Sequence, residues 1–172
     1  ANTTANFNTA VGFQSLTSNT TAVNNTGVGY QSLEKNTTGD SNTAVGYRCL
    51  DVNTTGTQNT AVGANALDAN TTGDFNSAFG RSALGANSTG DGNTALGINA
   101  LEANTTADNN TAIGRAALNA CTTGGNNVAI GTSALTDLSD QSSSTAVGVL
   151  AGENAVGTQN CFVGFQAGQG AT

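Results

Sequence analysis

The chain contains no His, Pro, Met or Trp and only four basic residues, Lys35, Arg48, Arg81 and Arg115. The missing His removes the usual general base and the commonest metal ligand. Ser-His-Asp and Cys-His nucleophile systems, and His-based zinc sites, are therefore excluded within this chain. Charged residues make up 9% of the sequence, against roughly 25% in an ordinary soluble domain. With a net charge of −7 the basic clusters that face phosphates are absent, so no nucleic-acid partner is expected. No run approaches ~20 apolar residues, and the opening ANTTANF lacks a basic region followed by an apolar one. Neither membrane insertion nor an export signal of its own is expected. Leu, Ile, Val and Phe together fall below the ~20% level at which disorder becomes a fair suspicion.

A repeat removes that suspicion. The chain carries 24 Asn, 28 Thr and 23 Gly among its 172 residues, and the glycines fall in a column. Gly12, Gly29, Gly46, Gly63, Gly80, Gly97, Gly114, Gly131 and Gly148 are spaced by 17 residues, and Gly164 follows after 16. A fixed period of this size marks a stacked solenoid. Repeats begin near residues 8, 25, 42, 59, 76, 93, 110, 127, 144 and 160, with the consensus N-T-A-V-G-x-x-A-L-x-x-N-T-T-G-x-x. Residues 1–172 thus form one solenoid domain without a linker.

Seventeen residues are too few for two helices, and Asn, Thr and Gly are poor helix formers. The unit predicts a strand at Thr-Ala-Val-Gly and a second at the Ala-Leu pair. Stacking at ~4.8 Å would turn the Val11-to-Val163 column and the opposite Ala10 column into a continuous core. Leu16, Leu33, Leu50, Leu67, Leu84, Leu101, Leu118 and Leu135 form a further apolar ladder, with a small-residue column beside it. The Gly column suits a corner needing positive φ or close backbone approach. Asn-Thr-Thr-Gly reads as the other turn, its Asn side chains bonding from coil to coil. About ten coils would give a rod roughly 48 Å long.

The pattern clear in Asn42 to Gly56 resembles tail-fibre repeats of phages and large viruses and related bacterial surface proteins. Its Thr-Ala-Val-Gly and Ala-Leu elements are also similar to the S-V-A-I-G-x-x-A units of trimeric autotransporter adhesin heads. The resemblance implies an all-β, left-handed parallel β-roll assembled as a homotrimer. It implies a structural, extracellular or virion-surface fibre or adhesin shaft that spaces or presents a receptor-binding tip. The expected partners are other copies of the chain, as a trimer or an end-to-end filament, and a cell-surface glycan.

Residues that could carry chemistry sort by column. The two positions after Gly vary most and hold the candidate surface contacts Tyr30, Tyr47, Arg48, Arg81 and Arg115. A Thr ladder at Thr20, Thr37, Thr54, Thr71, Thr105 and Thr122, with a second Thr beside each, supports an alternative ice-binding reading. Two adjacent Thr in an extended chain point to opposite sides, so only one ladder can form an exposed row. Asn-x-Ser/Thr sequons make Asn19, Asn36, Asn53, Asn70, Asn87 and Asn104 candidate glycosylation sites of a self-assembling surface filament, with further sequons at Asn2, Asn24 and Asn109. The acids form two columns, Glu34, Asp51, Asp68 and Glu102, and Asp40, Asp74, Asp91 and Asp108. They are expected to be solvated and to have no cleft in which to act as glycosidase carboxylates. Calcium would need carboxylates meeting on adjacent coils. Cys49, Cys121 and Cys161 lie in different columns, too far apart for disulfides. No enzyme activity, metal or cofactor is expected. Ala1 to Thr4 should enter at a turn, and Gln169 to Thr172 should stop near the same turn.

Overall fold

The computed structural model describes residues 5–169. The expectations for Ala1 to Thr4, for the Asn2 sequon and for residues 170–172 lie outside them. Ten three-residue strands follow one another along the chain: β1 (Thr9–Val11), β2 (Thr26–Val28), β3 (Thr43–Val45), β4 (Thr60–Val62), β5 (Ser77–Phe79), β6 (Thr94–Leu96), β7 (Thr111–Ile113), β8 (Val128–Ile130), β9 (Thr145–Val147) and β10 (Cys161–Val163). They pair in sequence order as one parallel sheet. Thr43 lies opposite Thr60 and Val45 opposite Val62, so the pairing offset equals the repeat. Between β9 and β10 the offset shortens to 16, with Val163 opposite Val147. The chain is an all-β parallel solenoid of about nine turns, without a helix among the described residues.

The second expected strand is a turn. Between each Gly and the following Asn the backbone alternates into the left-handed region, with φ of 51° at both Arg48 and Leu50 and 56° and 51° at Asn65 and Leu67. Among the described residues no Val, Ile or Thr adopts positive φ, because branching at Cβ makes that region costly. The apolar ladder is built from Leu for this reason. Its turn still bonds to its neighbours: Leu50 N–H donates to Ala66 O (3.1 Å) and Leu67 N–H to Ala83 O (3.0 Å). The Gly column does need glycine. At Gly46 φ is +146°, and a Cβ there would stand 2.5 Å from the carbonyl oxygen of Gly63 in the next coil.

The core is narrower than the Val column suggested. Ala44, Ala61, Ala78, Ala95, Ala112, Ala129 and Ala146, the middle residues of their strands, are fully buried together with the Leu ladder. The small column (Cys49, Ala66, Ala83, Ala100, Ala117, Ala134) is also fully buried and keeps the walls close. Val45, Val62, Phe79, Leu96, Ile130 and Val147 alternate to the outer face and stay 37–48% exposed. Three-residue strands can turn only their central side chain inward, so the Thr and Val columns face outward together.

The fourth side is held by amides. Asn53 Nδ2 donates to Asn36 Oδ1 (2.8 Å) and to Gly56 O (2.9 Å), and its Oδ1 accepts from Asn70 Nδ2 (2.9 Å). A second Asn column runs beside it: Asn59 N–H donates to Asn42 Oδ1 (2.9 Å), and Asn59 Nδ2 to Gly73 O (2.8 Å). Both columns are buried, which satisfies the turn's carbonyls without water.

Candidate functional surface

The corner after Gly carries the variable residues in strict register. Arg48 N–H donates to Tyr30 O (2.8 Å) and Asn65 N–H to Tyr47 O (2.9 Å), so side chains one coil apart are brought face to face. Phe13 and Tyr30 stack at 5.5 Å between ring centroids, and Tyr30 and Tyr47 at 5.3 Å with planes 9° apart. The rings are exposed, but they cover each other's faces and present edges and hydroxyls. The stack ends at Ala64. Of the expected contacts, then, Tyr30 and Tyr47 are brought together with Phe13. Arg48 is turned aside: its Nε and Nη2 donate to Asp51 Oδ2 at 2.9 and 2.8 Å. That carboxylate holds the guanidinium charged beyond its ordinary range, first through the hydrogen bond and then through its charge. Arg81 and Arg115 are exposed, two coils apart in the same column with Ile98 between them, and do not form a patch with the tyrosines.

The acidic column is interrupted between Asp68 and Glu102. Asp51, Asp68 and Glu102 share a column whose member in the intervening coil is Gly85. The missing side chain leaves a shallow, open depression of about 290 Å³ lined by Asn65, Asp68, Ser82, Gly85, Ala86 and Glu102. Asp68 and Glu102 border this depression from coils on either side of Gly85. Glu102 Oε2 is fixed by two amides, Asn99 Nδ2 at 2.7 Å and Asn119 Nδ2 at 3.1 Å. Asp68 receives no hydrogen bond from another side chain among the described residues, and its pKa is raised, chiefly by desolvation. Asn65 Oδ1 is buried and unpartnered. Sequence reasoning passed over this depression; its one signal was a glycine standing in an acidic column.

The other acidic column serves the backbone. Asp74, Asp91 and Asp108 each accept through Oδ1 an N–H of the preceding coil, from Thr57 (2.6 Å), Asp74 (2.7 Å) and Asp91 (2.7 Å). Asp40 does the same for Val23 N–H (2.7 Å). Among the described residues no three His, Cys, Asp or Glu side chains gather where a metal ion could sit. Cys49 and Cys121 are buried and all three thiols are free. Cys121 stands in the Asn column and donates to Gly124 O (3.1 Å), where Asn would have done so.

The Thr and sequon columns differ from their first reading. Thr37, Thr54 and Thr71 donate their hydroxyls to carbonyls of the next coil at 2.9–3.0 Å. Thr20, Thr105 and Thr122 do likewise at 3.0–3.2 Å. The exposed row is the neighbouring one, Thr21, Thr38, Thr55, Thr72, Thr89, Thr106 and Thr123. Asn19, Asn36, Asn53, Asn70, Asn87 and Asn104 are at most 1% exposed. Each points its Nδ2 at a turn carbonyl, Asn36 to Gly39 O (2.9 Å) and Asn87 to Gly90 O (3.0 Å) among them. A glycan on that nitrogen has no room, so these six are not glycosylation sites of the folded rod. The sequons at Asn24 and Asn109 are exposed.

Among the described residues no helix is long and apolar enough to cross a membrane. Compared with protein-family models, curated proteins and solved structures, the chain matches none of them.

Proposed function

We propose that the chain is a passive structural rod, a shaft segment of an extracellular or virion-surface fibre that spaces or presents a receptor-binding tip. The equivalence of the coils carries this reading. From Asn42 to Asn104 successive coils repeat the same buried Ala, Leu and Asn columns and the same coil-to-coil bonds, as a beam requires and as a single specific active site does not. Weak contacts repeated along such a rod gain by avidity what each lacks in affinity.

The fibre reading carries left-handed winding and a homotrimer with it. The sheet's outer face supports side-by-side association: Val45, Val62, Phe79, Leu96, Ile130 and Val147 stay exposed along one row, with Ile113 half-buried among them, and contiguous apolar strips on a surface mark interaction sites. The Ala and Leu columns take no part, being used up inside each chain. Light scattering on the purified chain tests the assembly. A mass three times the 16.9 kDa of one chain is expected, and a monomer at micromolar concentration would overturn the trimer.

A second reading is favoured by one observation. The exposed Thr row from Thr38 to Thr123 recurs once per coil on a rigid scaffold, as an ice-binding face would. Thermal hysteresis at micromolar protein would establish that reading in place of the shaft.

A further inference from the structure

Two buried Asn columns run side by side, and one of them is a row of glycan-acceptor triplets. Asn42, Asn59, Asn76 and Asn93 are followed two residues on by Ala44, Ala61, Ala78 and Ala95. Asn19, Asn36, Asn53, Asn70, Asn87 and Asn104 are followed instead by Thr21, Thr38, Thr55, Thr72, Thr89 and Thr106, with no Pro between. Such Asn-x-Thr triplets belong on surface loops, where a bulky glycan is tolerated. Here the amide nitrogens face inward. Asn53 Nδ2 donates one hydrogen to Gly56 O and the other to Asn36 Oδ1. Asn70 and Asn87 repeat the arrangement. A single carbon built at Gly39 would already stand 3.0 Å from Asn53 Nδ2, and one at Gly56 would stand 3.0 Å from Asn70 Nδ2.

We propose that folding and N-glycosylation exclude each other at these six asparagines, so that the rod forms only where the glycosylating enzyme of a secretory lumen does not reach the unfolded chain. In that transfer the bond from a sugar's anomeric carbon to a lipid diphosphate breaks, a bond from that carbon to Nδ2 forms, and one amide proton leaves to a base. Nδ2 then keeps one hydrogen for two acceptors, and a sugar ring must enter a column that is at most 1% exposed. A coil so modified cannot close on the next. Each coil is supported only by its neighbours, so one glycan interrupts the stack. In the reverse order, the enzyme meets no accessible ladder nitrogen on the finished rod. The exposed sequons at Asn24 and Asn109 stand outside this conflict and tolerate a glycan. The exclusion follows from the ladder alone, whether the rod is a shaft or binds ice. A surface rod built this way folds before it meets such a lumen, or reaches the exterior by a route that bypasses it.

The test produces the full 172-residue chain in one mammalian cell line, either in the cytosol or, behind a cleavable signal peptide, in the secretory lumen. Mass spectrometry maps the glycans, and resistance to proteinase K reads folding. A variant carrying Thr21→Val, Thr38→Val, Thr55→Val, Thr72→Val, Thr89→Val and Thr106→Val removes all six triplets at exposed side chains. It leaves the bonded hydroxyls of Thr37, Thr54 and Thr71 in place. The wild-type chain should be resistant from the cytosol, and glycosylated in the ladder and digested from the lumen. The variant should be resistant from both, with lumenal glycans at Asn24 and Asn109. A lumenal wild-type chain that is mostly resistant, with ladder glycans or without them, would overturn the proposal. So would one that is digested yet free of ladder glycans, or a variant that folds in the cytosol and not in the lumen. If the six substitutions themselves unfold the cytosolic variant, the wild-type lumenal pool decides alone. Any resistant remainder should then carry no ladder glycan, and a resistant molecule glycosylated at Asn53 overturns the exclusion.

Discussion

The ring of Phe162 fills the space that a leucine side chain would need at Gly152. Phe162 pairs with Ala146 across β9 and β10, so it stands in the inward Ala column, where every other large side chain is excluded. The Leu ladder gives way to match: position 152 is Gly with φ +63°, and a Cβ there would lie 2.6 Å from Phe162 Cδ2 and 2.8 Å from Leu135 Cδ2. Gly168 makes the same concession one coil on.

The two exchanges should therefore be coupled. Phe162→Ala alone is expected to cost about 2–3 kcal/mol, below the usual range for Phe because the ring is only partly buried. Gly152→Leu alone should cost at least as much through overpacking. Together they restore the Ala and Leu of an ordinary coil, and the double variant should be more stable than the sum of the single losses predicts. Urea melts of the four proteins measure the coupling. Simple additivity would show that the ring and the glycine do not share one space.

Asn53 is the clearest test of the amide ladder. Replacing it by Ala removes one of the two amides on Gly56 O, which keeps that of Asn42, and takes from Asn36 Oδ1 its donor and from Asn70 Nδ2 one acceptor; a buried group left unpaired costs about 1–3 kcal/mol. Asn53→Asp should be worse, because a carboxylate cannot donate and would face two oxygens. Thermal melts should rank the wild type above Ala and Ala above Asp. An Asp variant as stable as the wild type would mean that the ladder contributes nothing.

Much of this is legible in the sequence alone, and the exceptions have physical causes. The period alone predicts stacked coils, and the Asn columns bond as Asn chemistry suggests. Leu and Val, however, look alike on a hydropathy scale, and only the backbone separates them. Leu67 tolerates φ of 51° and turns inward, while Val62 sits in an extended strand facing outward at 37% exposure. Adjacent Thr residues carry no mark of which hydroxyl will meet a carbonyl. The depression depends on what Gly85 lacks, and a reading of columns that follows the residues present overlooks a gap.

Asp68 should make the rod less stable at neutral pH than at acid pH. Burial raises its pKa in the folded chain above 3.8, so the folded state holds its proton more tightly than the unfolded state. Stability from this site is then full below the unfolded value and falls as pH rises through the folded one. Asp68→Asn, which carries no charge, should raise the melting temperature at pH 7, with the gain vanishing near pH 3. A gain that persists at pH 3 would assign the effect to something other than ionisation.

The three thiols should divide by reactivity. Burial pushes Cys49 up to about 12 and Cys121 up to about 11, so at pH 8 neither supplies the thiolate that alkylation needs. Cys161 is exposed. Iodoacetamide should label one cysteine per folded chain and three after denaturation, with the native label mapping to Cys161. Rapid native labelling of Cys49 would mean that the coils open around β3 and β4.

Leu67 separates the two demands made on the core, apolar burial and a left-handed backbone. Leu67→Asp should be severely destabilising, since an unpaired charge would enter a site with no exposure to water. Leu67→Met keeps an unbranched Cβ and similar volume, and should cost less than about 1.5 kcal/mol. Leu67→Ile keeps the volume and hydrophobicity but branches at Cβ, at a residue whose φ is 51°, where branching is a genuine outlier. If burial alone governed the ladder, Ile and Met would be equivalent. The backbone predicts that Ile is clearly the worse of the two in denaturant melts, with Asp worse than either. Equal melting for Ile and Met would show that the turn can relax out of the left-handed region, and the absence of Ile and Val from the Leu column would then need another cause.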